Sequence, residues 1–312
     1  MQVELLPITR QPEKDQINGK ENAERIQKVV DQGRDVQLPA GMFPIARTIS
    51  QNRPGWPLRI SGICGFNHQW YPDSTTLVPV GDFVGNSVIS VPSRTDTGTG
   101  HSVTHGTDLG NFGIYVNPSR YPLTRSVNGV TINQGSQTHI HDMQIVGCDW
   151  AIWTEYRDRF VDFMYERIYI ERGKNGIRHD AYGELDRNSH TGTIFRAVES
   201  DFLEGTHMYV SSGNSAVLIQ GCTDHVNRVG YHFDAFTRAI MEGVYSEAIT
   251  NKKVNLLLEP MHKGKDSKVH VTLRGCTMQC AVFLGSKYNS VIDDDGTSRN
   301  YRRYTSLHEA YD

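Results

Sequence analysis

No run of apolar residues in this chain approaches the roughly 20 needed to cross a bilayer as a helix, so membrane insertion is not expected. The opening stretch MQVELLPITR has no basic segment followed by an apolar one and shows no secretory leader. Neither sign of charge dominates: 32 Lys and Arg stand against 35 Asp and Glu, a net charge of −3, and the basic residues are scattered. That excludes the electrostatic footprint of a nucleic-acid or anionic-membrane partner. Cysteine is sparse, with Cys64, Cys148, Cys222, Cys276 and Cys280 making an odd five and no C-x-x-C pair. They read as reduced, buried thiols, and neither a metal nor a cofactor is expected.

What is present begins with NAERIQKVVDQGRDVQLPAG, Asn22 to Gly41, where Ala23, Ile26, Val29 and Val30 share one helical face. Glu21 and Glu24 suit the positive end of this helix, Lys28 its negative end, and Gly33 the left-handed stop. Val36-Gln37-Leu38 then alternates as a strand that turns at Pro39-Ala40-Gly41. This helix, strand and LPAG turn resemble the N-terminal cap of pectin-lyase-like β-helix proteins, in which a helix closes the open end of the coil.

Beyond residue 110 no second amphipathic helix is evident, and two columns recur. The first aligns AIWTE (151–155), GIRHD (176–180), HMYVS (207–211), GYHFD (230–234), NLLLE (255–259) and AVFLG (281–285), at spacings of 25, 31, 23, 25 and 26 residues. GIYVN (113–117) reads as an earlier member. The second aligns Met143, Ile168, Val198, Cys222, Val244 and Cys276, at spacings of 25, 30, 24, 22 and 32. Two registers at one period mean coils that supply strands to at least two parallel sheets. A hairpin sandwich would instead show tight two-residue turns and no common period. The expected fold is all-β, a right-handed parallel β-helix over residues 51–290, with an N-terminal cap over 1–50 and a tail over 291–312. Stretches 181–193 and 260–268, rich in polar residues and Gly, read as projecting loops, and Asp293-Asp294-Asp295-Gly296 as a solvated turn.

Alternation in the first column places Ile152, Ile177, Met208, Tyr231, Leu256 and Val282 in the core, with Thr154, His179, Val210, Phe233, Leu258 and Leu284. Trp153, Arg178, Tyr209, His232, Leu257 and Phe283 then point outward, beside Glu155, Asp180, Ser211, Asp234 and Glu259. Outward aromatics suit stacking on sugar rings, and Arg178 and the carboxylates suit hydrogen bonds to hydroxyls, so Trp153, Arg178, Tyr209, His232 and Phe283 are the candidate substrate-binding residues. Equivalent positions on neighbouring coils stack about 4.8 Å apart, so Glu155 over Asp180 and Asp234 over Glu259 are like-charge pairs of the sort that make a general acid. Asp180 and Asp234, two rungs or about 9.6 Å apart across Ser211, approach the spacing of an inverting glycosidase, and adjacent rungs approach that of a retaining one. Asp180 and Asp234, assisted by Glu155 and Glu259, are therefore the candidate catalytic residues. A surface ladder of acids neutralised by Arg178 is the alternative without chemistry. A lyase or epimerase, with His232 as base and Arg178 neutralising a uronate, is another.

Cap, period and outward face together resemble phage tailspike depolymerases and related pectin-lyase-like glycosidases across residues 20–290. The resemblance implies a homotrimer that cuts a bacterial surface or extracellular polysaccharide, located on a virion tail or outside the cell. A non-catalytic carbohydrate-binding or structural β-helix remains the reading from a different class.

Overall fold

β-Branched and aromatic residues at alternating positions favour strands over helix, and the computed structural model of the protein is a right-handed parallel β-helix, as expected. It describes residues 1–53, 56–63, 73–91, 104–117, 119–121, 123–133, 135–155, 162–180, 192–211, 216–234, 237–247, 254–258, 268–278, 282–284 and 289–294. One coil shows the plan. Trp150–Glu155 lies in a first row of parallel strands, and Phe163–Glu171 supplies a second row up to Glu166 and a third from Ile168. Asn175–Asp180 then returns beside Trp150–Glu155 to begin the next coil.

The switch between the second and third rows is made by a left-handed residue that recurs at the same place in successive coils. Asn111, Asp142, Arg167 and Ala197 have φ of 61°, 50°, 51° and 49°, and Gly221, Gly243 and Gly275 continue the series at 58° to 59°. Glycine takes this conformation without penalty, and Asn and Asp tolerate it. At Arg167 the side chain is pinned by two bonds donated to Asp142 on the coil before, at 2.6 and 2.7 Å. The residue that follows each left-handed position turns inward, which is why Met143, Ile168, Val198, Cys222, Val244 and Cys276 recur as an apolar column.

The first column holds its register throughout. Ile152, Ile177, Met208, Tyr231, Leu256 and Val282 are successive partners, and the ladder extends backward through Val130 and Ile89 to Ile49. The earlier member is thus Gly129–Asn133, since Val130 pairs with Ile152. GIYVN belongs instead to the third row, where Gly113 pairs with Gln144. Both runs alternate apolar and polar residues, so pattern alone does not tell one row from another. His179 is buried and satisfied: Thr154 and Tyr165 lie 3.2 and 3.0 Å from Nδ1, and Thr193 lies 3.1 Å from Nε2.

The capping helix runs from Pro12 to Asp31, ten residues further toward the N-terminus than its apolar face predicts. Its first eleven residues bury Asp15, Asn18, Gly19 and Asn22, which hide the amphipathic period. Asn22 Nδ2 donates to the carbonyls of Leu6 (2.8 Å) and Pro44 (3.1 Å), and Asp15 accepts from Thr9. Gly19 sits where an added Cβ would lie 3.0 Å from Ala46 and Val80, so its lack of a side chain lets the helix settle onto the end of the coil. At the other end Asn289–Asp294 pairs with Lys268–Arg274, so Asp293 and Asp294 extend a strand and are not a turn. The stretch 260–267 and Asp295-Gly296 lie outside the described residues, as do 181–191. Cys148, Cys222 and Cys276 are buried free thiols, with burial pushing Cys222 up to about 12; Cys64 and Cys280 lie outside the described residues.

Candidate functional site

The outward face of the first row carries the candidate residues in register. One column reads Thr131, Trp153, Arg178, Tyr209, His232, Leu257 and Phe283; its neighbour reads Asn133, Glu155, Asp180, Ser211 and Asp234. Glu259 lies outside the described residues, and of Phe283 only the strand pairing is described.

Arg178 is the hub. Its Nη2 donates to Asp180 at 2.7 Å, and its guanidinium lies 4.7 Å from the centre of the Trp153 ring, 5.3 Å from Tyr209 and 5.9 Å from Trp150. Trp153 and Tyr209 occupy the rungs on either side, so a planar cation between them gains cation–π attraction from both. On each of these two rings part of the surface offered to a sugar is therefore covered by Arg178.

Pointing outward proves different from being exposed. Ser211 is 0% exposed, Asp234 1% and Leu257 3%, whereas the side chains of Arg178 and Asp180 keep 32% and 14%. Trp153, Glu155, Tyr209 and His232 are partly buried. Large neighbours provide the shielding: the Tyr209 hydroxyl donates diagonally to Asp234 at 2.9 Å, and His232 packs edge-on against the Tyr209 ring at 4.9 Å. Burial, reinforced by the Asp234 and Asp180 charges, raises the Tyr209 pKa and keeps it a proton donor.

Burial lowers His232 to about 4, against the opposing pull of Asp234. It is neutral at pH 7 yet too weak a base to match that pH, which argues against His232 as the base of an eliminative lyase.

Five polar side-chain atoms on this one face are buried with no hydrogen-bond partner: Thr131 Oγ1, Asn133 Oδ1, Trp153 Nε1, Arg178 Nε and Ser211 Oγ. Each such atom costs about 1–3 kcal/mol unless water or a ligand satisfies it. Sequence reasoning stops short of Thr131 and Asn133 because it assigns the preceding rung to GIYVN. A cavity of about 660 Å³ lies apart from the columns, at the turn leading into the same strands, and Arg125, Arg172, Lys174, Asp149 and Glu204 are among the residues that line it. Lys174 there pairs with Asp149 at 3.2 Å.

No helix among the described residues is long and apolar enough to cross a membrane. No protein-family model matches the chain, and no curated protein matches it. Among solved structures it is similar to the N-terminal fragment of gene product 12 of bacteriophage phi29, with 11% identity and a TM-score of 0.41 over 88% of this chain and 64% of that one. It is also similar to ORF18 of Geobacillus virus E2, with 14% identity and a TM-score of 0.42 over 90% of this chain and 56% of that one. A GH87 α-1,3-glucanase catalytic domain in complex with nigerose matches with 12% identity and a TM-score of 0.34 over 96% of this chain and 68% of that one. The chain thus spans less than two thirds of either viral structure.

Proposed function

We propose that the protein binds a bacterial surface or extracellular polysaccharide along the outer face of its first strand row and hydrolyses its glycosidic bonds there. The observation that carries this reading is the concentration on one face of unsatisfied polar atoms, aromatic rings and carboxylates around Arg178. Sugar hydroxyls are both donors and acceptors and match such a surface. Asp180 is the central carboxylate. Glu155 stands on the adjacent rung, about 4.8 Å away along the stack, and both acids keep contact with solvent. That favours a retaining double displacement, with one acid as nucleophile and the other as acid and base. Asp234, two rungs from Asp180, gives the inverting alternative; its burial under Tyr209 suits a supporting role better.

Incubation with a panel of capsular and exopolysaccharides tests the activity. New reducing ends without the ultraviolet absorbance of an unsaturated uronate are expected, with the first product keeping the anomeric configuration of the substrate. An absorbing product would establish a lyase, an inverted product would move the second carboxylate to Asp234, and no product from any substrate would leave a binding or structural β-helix.

We also propose a homotrimer, as the family resemblance implies, with its contact surface on the second row. Met164, Ile194, Leu218 and Ile240 are register partners on the outside of the second row and form an apolar stripe, with Ile240 38% exposed. A contiguous apolar stripe on a solenoid wall is stabilised by being covered. Light scattering at micromolar concentration is expected to give a trimer mass that Ile240→Asp lowers; a monomeric wild type excludes the assembly.

A further inference from the structure

On the second row, two and three coils before that of Arg178, two histidines and an aspartate converge in a way the polysaccharide reading does not use. Asp108 and His139 are register partners on adjoining strands, and His141 follows two residues on, pointing the same way. One ligand atom from each of Asp108, His139 and His141 lies within 4.8 Å of the other two. The two imidazoles stack with centroids 4.2 Å apart and planes at 24°.

The strand beneath is shaped for this. His141 pairs with Gly110, and a Cβ built on that glycine would lie 2.4 Å from His141 Cε1 and 2.5 Å from Nε2. The missing side chain lets the imidazole lie down over the neighbouring strand and brings Nε2 to 3.1 Å from Asp108 Oδ1. The other ring nitrogen, Nδ1, lies 2.7 Å from Asp142 Oδ2, and Asp142 is clamped by Arg167 through two hydrogen bonds. Asp142 thus fixes one ring nitrogen of His141 while the other faces a carboxylate oxygen of Asp108.

His139 Nε2 is buried and makes no hydrogen bond, and it lies 3.5 Å from Glu166 Oε2. We propose that Asp108, His139 and His141 form a binding site for a divalent transition-metal ion of the zinc class. Two atoms bound tetrahedrally to one zinc stand roughly 3.3 Å apart, close to the separation of His141 Nε2 and Asp108 Oδ1. Two imidazoles and a carboxylate are a borderline ligand set that suits zinc better than calcium or magnesium, which prefer all-oxygen sites. Asp142 plays the outer role, orienting His141 through its second nitrogen as carboxylates commonly do for metal-bound histidines. Three protein ligands leave a fourth position for water.

The full chain, stripped with EDTA and titrated calorimetrically with Zn²⁺, is expected to take up one ion per chain, with a higher midpoint of thermal unfolding. Asp108→Asn, His139→Gln and His141→Gln should remove that uptake, and Asp142→Asn should weaken it by about 10- to 100-fold. Asp108 is half exposed and its substitution changes little volume, so it decides the question if a histidine variant fails to fold. Wild-type protein that takes up no Zn²⁺ overturns the site. So does uptake unchanged in the Asp108 and His139 variants, which would assign the ion elsewhere, for example to His225 with Glu199 and Glu247.

Discussion

Asp180→Asn is expected to lower polysaccharide cleavage by about 10²- to 10⁴-fold, the usual cost of losing one acid–base or nucleophilic group. The substitution keeps the side-chain shape while removing the ionisable oxygen 2.7 Å from Arg178. Arg178 is also held between the Trp153 and Tyr209 rings, so the site's framework should survive and binding should fall far less than rate. Glu155→Gln should act with similar severity if the adjacent-rung pair performs the chemistry. Asp234→Asn separates the two hydrolytic readings, because a buried supporting acid gives a smaller loss than a partner in the reaction. Initial rates of reducing-end release, with circular dichroism to confirm folding, measure all three. A twofold change in Asp180→Asn would exclude that residue, and unchanged rates in all three acid variants would move the chemistry away from this face.

Leu256→Ala and Leu257→Ala should both destabilise the coil, at about 2–5 kcal/mol for Leu256 and near the lower end of that range for Leu257. Alternation by itself assigns Leu257 to the outer face and so to a much smaller effect. In the structure Leu256 is 0% exposed between Tyr231 and Val282 in the interior ladder, and Leu257 is 3% exposed between His232 and Phe283. Each truncation leaves a cavity that neighbouring rungs close only in part, but interior rungs are fixed on every side while outer ones can relax. Denaturant midpoints read the difference. A Leu257→Ala variant as stable as wild type would mean that the outer face is exposed in solution.

The period was legible because a solenoid repeats its local constraints. Each coil needs an inward apolar residue after its left-handed corner, so the residues before Met143, Ile168, Val198, Cys222, Val244 and Cys276 are Asp, Arg, Ala and Gly. That column is visible without knowing that the corner causes it. The polar half of the capping helix was not legible, because Asp15, Asn18 and Asn22 are buried through hydrogen bonds to segments that the helix itself does not contain.

At the two sites the division is sharper. On the arginine-centred face the sequence by itself determined that Trp153, Arg178, Tyr209 and His232 stack over one another and point outward, since strand alternation and a repeating register are local and periodic. The tertiary structure alone decided what covers them: Tyr209 leans over Ser211 to Asp234, and Arg178 settles between two rings on neighbouring rungs. It alone joined Asp108 to His139 and His141, and made Gly110 the floor beneath an imidazole. These are contacts between coils 25 to 33 residues apart along the chain, from Tyr209 with Asp234 to Asp108 with His141, and they depend on how side chains lean across rungs. Periodicity fixes the direction of a side chain, but its exposure, its partners and hence its chemistry depend on what packs against it from the next coil.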